Sequence, residues 1–316
     1  MLTRKLGNSD LHITPIGFGA WAIGGGDWAF GWGKQDDADS IACIHAALDA
    51  GINWIDTAAI YGLGHSEEVV AKALAGMKQK PYVFTKCARV WDANRQIGKC
   101  LKRESIRREC EASLKRLQVE KIDLYQVHWP EPDEDVEEGW AAVKELQTEG
   151  KVRWIGFSGY PQKIFRFICD QTNVDCVLSY NQYTLQNTRF ADETIPYLQA
   201  KGVGVMNAGP FSARLLTNAP LPAWLKEPEP VKAAARQAAA LCASRGVDIA
   251  QLALQFSLAH PGIATTIAGS ANPQNIENWA RWAALPLDPQ LLAEVQAIFA
   301  PVKNIGHVEG LPENNA

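Results

Sequence analysis

The hydrophobic residues of this chain fall into two textures that take turns along its length. One is a short, nearly continuous apolar run: Ile16–Gly19, Ile52–Asp56, Tyr82–Lys86, Ile122–His128, Val152–Ser158, Cys176–Tyr180, Val203–Asn207 and Ala264–Ala268. Runs of this length bounded by turn residues read as strands buried on both faces. The other texture is a longer segment with apolar residues three and four apart, the spacing of one helix face. Ser105–Leu117 carries Ile106, Cys110, Leu114 and Leu117 in that register, and Glu137–Thr148 carries Trp140, Val143 and Leu146 with Gly150 beyond its end. The same reading predicts helices from about Asp36–Ala38, over Val231–Ser244 and Ile249–His260, and over Pro273–Ala283 and Asp288–Phe299 after the eighth run. Ahead of all this, Thr3–Leu6 and Leu11–Thr14 flank Gly7-Asn8-Ser9-Asp10, an N-terminal β-hairpin. Pro301–Ala316 forms a tail.

Eight strand–helix units in 316 residues predict an α/β fold, a closed (β/α)8 TIM barrel with an N-terminal hairpin and an extra C-terminal helix. The alternative is an open doubly wound sheet. No Pro/Gly/Ser linker and no change of composition divides the chain, which predicts a single domain over residues 1–316.

Residues 17–22, GFGAWA, match the dinucleotide fingerprint G-x-G-x-x-G/A, and Asp37 lies twenty residues after Gly17. That fingerprint requires a helix to open at its third position. Here Gly24-Gly25-Gly26 follows, with Gly31 and Gly33 close behind, and so many glycines exclude a helix. The spacing is therefore a coincidence. The segment is the first strand and an aromatic-rich loop.

Composition narrows the class. Hydrophobic residues make up 47% and charged residues 21%, enough for a large core. The net charge is −4, and no Lys/Arg run suggests nucleic acid. The first residues lack the apolar stretch of a secretory leader, and no window approaches a membrane span. Seven scattered cysteines without a C-x-x-C, and no H-E-x-x-H or carboxylate–histidine cluster, predict reduced thiols and no metal. Together these describe a cytoplasmic enzyme with a small-molecule substrate; no pattern fixes its oligomeric state.

Barrel enzymes carry their sites at the C-terminal ends of the strands. Strand two ends at Asp56, with Tyr61 following in DTAAIYG. Strand three ends at Lys86, strand four at His128, strand five at Ser158, and Gln182 follows strand six. Singly, each has an ordinary use: Asp56 capping a turn, Tyr61 packing, Lys86 snorkelling, His128 satisfied in a core. Burying a charge is costly unless it is paired, so Asp, Lys and His on successive strand ends argue for chemistry. The histidines at 12, 45 and 65 are expected to be structural.

GINWIDTAAIYGLGHSEEVVAKAL and KIDLYQVHWP resemble the most diagnostic stretches of the aldo-keto reductase superfamily, and the likeness runs nearly the full length. The resemblance implies hydride transfer with a nicotinamide cofactor and a catalytic tetrad of Asp56, Tyr61, Lys86 and His128. It assigns Ser158 and Gln182 to the nicotinamide carboxamide. Gly19, Ala20, Trp21, Ala208, Gly209, Pro210, Gly269, Ser270, Asn275 and Asn278 become cofactor-binding positions. Trp28, Trp32, Trp129 and His307 become pocket walls, although packing accounts equally for the tryptophans of the early loop. In this scheme Tyr61 is the proton donor, the ammonium of Lys86 lowers its pKa, Asp56 keeps Lys86 charged, and His128 donates to the substrate oxygen.

Three departures from the family pattern refine the expectation. The loop after strand eight, GSANPQNIENW, has no Lys or Arg before Arg281, whereas 2′-phosphate recognition normally calls for them. NAD is therefore expected over NADP, with Arg214 and Lys303 as the cations able to restore NADP use. Gly159 stands where the family often has Asn, and Ala208 where it often has a stacking aromatic. GVGVMNAGPFSARLLT and PVKN resemble the branch typified by L-galactose and L-fucose dehydrogenases. The expected substrate is a small carbonyl or sugar, chosen by the loops Gly24–Gly33, Trp91–Gly98 and Phe211–Trp224. The alternatives are an NADPH-dependent broad aldehyde/ketone reductase, a non-catalytic nucleotide-sensing subunit docked on a membrane protein, and a purely structural barrel.

Overall fold

The computed structural model describes residues 1–131, 135–223, 225–306 and 314; Trp224 and His307 lie outside them. A short antiparallel pair, β1 (Arg4–Lys5) and β2 (His12–Ile13), comes first. Eight parallel strands then close into a barrel: β3 (Ile16–Gly19), β4 (Trp54–Asp56), β5 (Tyr82–Cys87), β8 (Ile122–His128), β9 (Val152–Gly159), β10 (Cys176–Tyr180), β11 (Gly204–Ala208) and β12 (Thr265–Ala268). Each pairs with its neighbours in chain order, and β12 closes on β3. This excludes the open doubly wound sheet.

Helices separate the strands: α1 (Asp37–Asp49), α2 (His65–Ala73), α3 (Arg103–Leu117), α4 (Val136–Thr148), α5 (Gln162–Gln171), the short α6 (Arg189–Glu193) and α7 (Ile195–Ala200), α8 (Glu229–Ser244), α9 (Ile249–Ala259), α10 (Pro273–Ala283) and α11 (Pro289–Phe299). Their ends follow local chemistry. Asp36 accepts from the Ala38 N–H at 2.7 Å to start α1, and Asp248, Asn272 and Asp288 cap α9, α10 and α11 in the same way.

One element departs from the sequence expectation. The segment read as an open loop, Trp91–Gly98, belongs to a second antiparallel hairpin, β6 (Arg89–Trp91) with β7 (Ile97–Lys99). Its arms are too short and polar to show a strand period. The Asp92 side chain closes the turn by accepting from the N–H groups of Asn94 and Gln96.

Alternation along the strands sorts side chains into two cores. Outward residues such as Ile55, Val83, Val127 and Val177 pack under the helices. Inward residues Trp54, Phe84, Leu124, Leu178, Met206 and Ile267 fill the barrel with Leu6, Leu11 and Ile13 of the N-terminal hairpin, which plugs its lower end. Gly17 faces inward against the Trp54 ring. A Cβ there would lie 2.1 Å from ring atoms Cε2 and Cζ2. Such overpacking costs about 1–3 kcal/mol. Gly17→Ala is therefore expected to lower the thermal midpoint by several degrees, as followed by circular dichroism. Gly98→Ala, whose Cβ would meet nothing nearer than Val90 at 4.0 Å, serves as the control, and equal midpoints would refute this packing argument.

Candidate active site

Above the apolar fill, the inward positions change character. Asp56 on β4 and Lys86 on β5 are 3% and 1% exposed, so their charges have left water almost completely. Lys86 Nζ donates to Asp56 Oδ2 at 2.5 Å and to the Thr57 carbonyl at 2.8 Å. Gln126 on β8 donates through Nε2 to Asp56 Oδ1 at 3.2 Å. A second layer stiffens this one. Thr57 and Ser66 share a hydroxyl contact at 2.9 Å, and Ser66 also donates to the Ala20 carbonyl. Thr85, next to Lys86, donates to the fully buried Glu67, whose other oxygen accepts from Arg116 Nε at 2.7 Å. Burial pushes Asp56 up and Lys86 down, and each partner's charge resists the shift of the other.

Tyr61 lies in the turn between β4 and α2, its ring centroid 5.0 Å from Lys86 Nζ and 5.9 Å from the His128 ring. Burial, the Asp56 charge and Tyr180 push its phenol well above the usual range. This corrects the expectation of a lowered phenol pKa: burial and the Asp56 charge outweigh the Lys86 ammonium, two of whose three N–H donors are held by Asp56 and Thr57. Burial, then the positive charges of Lys86, Arg89 and Lys99, hold His128 well below its ordinary value, so the ring is neutral near pH 7.

The aromatic loop folds over this group. Trp21 stacks on Tyr61 at 6.1 Å with 16° between planes, Trp28 lies 6.1 Å away, and Trp32 packs edge-on against Trp21. The two loops touch backbone to backbone: a Cβ on Gly62 would lie 1.9 Å from the Gly24 carbonyl oxygen, and the φ of +63° at Gly62 also favours glycine. Trp129 closes the other side with Tyr180 and Tyr160. Of the expected pocket residues, Trp28 thus meets Tyr61 and Trp129 meets His128, Trp32 joins them through Trp21, and His307 lies outside the described residues.

Most of the expected cofactor positions stand at or just past strand ends, whereas Asn278 lies within α10. Gly19 ends β3, the Ala20 N–H donates to the Asp56 carbonyl, and the Ser158 hydroxyl accepts from the Trp129 N–H at 3.3 Å. Gln182 donates to the Tyr160 carbonyl, leaving its buried Oε1 with no partner among the described residues; Asn181 Oδ1 is in the same state. These two orphaned acceptors, just past the end of β10, the neighbour of the strand that carries Ser158, suit a carboxamide, which presents N–H donors. Ala208 ends β11 with Gly209 and Pro210 beyond it. Gly269 follows β12, and Ser270 accepts from the Asn272 N–H and Asn275 Nδ2 at 3.0 and 2.9 Å. Asn278 accepts from Arg281 at 3.0 Å.

Tyr160, Tyr180 and Asn181 at the rim, and Gln126 in the barrel interior below it, are residues missed from sequence. Parity was the available signal for two of them: Gln126 stands two before His128 on one strand, and Tyr180 two after Leu178. His65 and His45 bond Asp37 and the Ala73 carbonyl, away from this cluster, as structural residues would.

Comparison with known proteins agrees with this geometry. The Aldo/keto reductase family profile matches residues 15–300. L-galactose dehydrogenase of Arabidopsis thaliana is 35% identical over 324 aligned positions, covering 98% of each chain. An NADH-specific methylglyoxal reductase of Escherichia coli is 31% identical over 86% of this chain and 90% of its own. The holo form of an aldo-keto reductase from Bacillus halodurans superposes with a TM-score of 0.82 at 26% identity over the whole of both chains.

Breaking a buried pair by removing one partner strands the other charge and typically costs about 3–5 kcal/mol. Lys86→Met alone should therefore destabilise strongly in urea unfolding. Asp56→Leu combined with Lys86→Met should recover part of that loss, and strict additivity would show that the pair is not coupled.

Proposed function

The chain belongs to the aldo/keto reductase family and is an NAD(P)-dependent oxidoreductase; from that premise we propose that it is an NAD(H)-preferring dehydrogenase of small aldoses and related hydroxy compounds. The observation that carries the reading is the buried Asp56–Lys86 pair gathered with Tyr61 and His128 under an aromatic cover. When bound, the nicotinamide supplies or accepts the hydride. The residues of the chain handle the proton and the oxygen charge. Tyr61 holds its proton firmly, so it can give it up only to an oxygen that has become strongly basic, as an alkoxide does. His128, neutral, donates a hydrogen bond to the same oxygen without carrying a proton away. Lys86, held by Asp56, places its positive charge beside the Tyr61 ring and steadies the phenolate left behind.

Ser158, Gln182 and Asn181 would hold the carboxamide. Trp21, Trp28, Trp32 and Trp129 would wall the substrate, their faces suited to the C–H surfaces of a sugar. NAD(H) preference is supported by the lack of a cation between Gly269 and Trp279. The cations able to compensate are engaged: Arg281 with Asn278, Arg214 over the Trp32 ring, and Lys303 3.7 Å from Asp192. The L-galactose dehydrogenase and NADH-specific relatives lend support in the same direction.

Tyr61→Phe should lower kcat by about 10²–10⁴ while leaving NADH binding, read by fluorescence titration, intact; unchanged turnover would remove Tyr61 from the mechanism. With Tyr61 high, the phenolate needed for oxidation is scarce at neutral pH. The oxidation rate should therefore climb about tenfold per pH unit into the alkaline range, while reduction, which needs the phenol, stays flat. Initial rates crossing the oxidised and reduced forms of both nicotinamides with aldoses and simple aldehydes test substrate and cofactor together. Fast NAD⁺ reduction by L-galactose or L-fucose is expected. A higher kcat/KM with NADPH on aldehydes, and silence with sugars, would replace this reading by a reductase.

A further inference from the structure

Resting on the site reading above, we propose that Gln126 is a positioning residue of this enzyme: it fixes Asp56 by the carboxylate oxygen that Lys86 does not use. Three observations carry this. Gln126 is fully buried on β8, facing the barrel interior between Leu124 below and His128 above. It stands in register opposite Lys86 on β5. Its amide nitrogen reaches Asp56 Oδ1 at 3.2 Å while Lys86 holds Oδ2 at 2.5 Å, so the two oxygens are anchored from neighbouring strands. The orientation of the amide follows from its partner, because an ionised carboxylate only accepts. That orientation has a cost: Gln126 Oε1 is buried with no partner among the described residues. A leucine of similar volume would remove that orphan but take the Gln126 donor away from Asp56 Oδ1. What the amide contributes is therefore directed at Asp56.

The consequence runs through Asp56 to Lys86 and Tyr61. A carboxylate with a single anchor can rotate about its bond to the strand and carry the ammonium with it. With two anchors, the ammonium stays at its distance from the phenol ring. The donated hydrogen bond also favours the ionised carboxylate against burial. The titratable groups facing Asp56 are Lys86 from β5, Tyr61 from the following turn and Cys176 from β10; Glu67 on α2 reaches the pair through Lys86.

The test compares wild type, Gln126→Leu and Gln126→Glu in kcat–pH profiles, with NADH affinity and thermal midpoint measured alongside and Tyr61→Phe as the site control. In Gln126→Leu, kcat should fall about tenfold, the loss of one hydrogen bond to a charged group. The acidic limb should move to higher pH, and NADH affinity should hold. The midpoint should move by no more than about 3 °C, because one orphaned oxygen replaces another. Gln126→Glu can donate only while protonated, so its activity should survive on the acid side and disappear as pH rises. Wild-type kcat and an unmoved limb in Gln126→Leu, with Tyr61→Phe inactive, would overturn the proposal and leave the site reading standing. A fall in kcat matched by a large loss of midpoint and no shift of the limb would assign Gln126 to packing and also overturn it. Turnover by Tyr61→Phe would remove both.

Discussion

A lysine and an aspartate removed from water at the top of a hydrophobic barrel constrain everything near them. Neither charge is tolerable there alone, and their attraction offsets the loss of hydration only where geometry is tight. The fold supplies that geometry by adjacency. Asp56 ends β4, Lys86 stands one residue before the end of the neighbouring β5, and Gln126 stands in register with Lys86 on β8. Glu67, Thr85 and Arg116 form a second set of paired groups immediately behind. The polar layer is thus continuous from the barrel interior to the helix ring, with its donors directed at the carboxylates.

The same pair biases the protonation states that burial sets around it. Lys86 donates to Asp56 and to the Thr57 carbonyl, and its charge lies 5.0 Å from the Tyr61 ring centroid. Burial, with the Asp56 charge, keeps the proton on Tyr61, and burial, with the Lys86 charge, keeps the second proton off His128. Tryptophans flank both rings, Trp21 and Trp28 at Tyr61 and Trp129 at His128, and leave each half-buried.

Continuous apolar runs separated by helical periods specify the eight strands and their order, and β3, β8 and β10 lie where the runs place them. Elsewhere the register shifts by a residue or two, as at β11, which begins at Gly204, because ladder pairing continues past the apolar run. The β6–β7 hairpin escapes notice because its arms are three residues long and carry charges, and its turn depends on one aspartate side chain. Asp56, Lys86 and His128 stand out because charge at a strand end is conspicuous. Gln126 does not, since a neutral amide inside an apolar run looks like noise until its partner is placed. The direction of the Tyr61 shift is equally invisible beforehand: it depends on where the Lys86 ammonium points and how much water the tryptophan cover removes.

Gly17 and Gly19 face inward because they are two apart on one strand, and the Trp54 ring leaves no room for a side chain at the first of them. The interval between them is the repeat of a pleated strand, whereas in a dinucleotide fold the same interval belongs to a turn that approaches a pyrophosphate. Two unrelated demands, one for space beneath an indole and one for backbone contact with an anion, converge on the same letters. In this barrel the Trp54 ring accounts for the first glycine of the imitation and Ile267 of the eighth strand for the second. What separates the imitation from the motif is the glycine-rich stretch downstream, which forbids the helix that a phosphate would need.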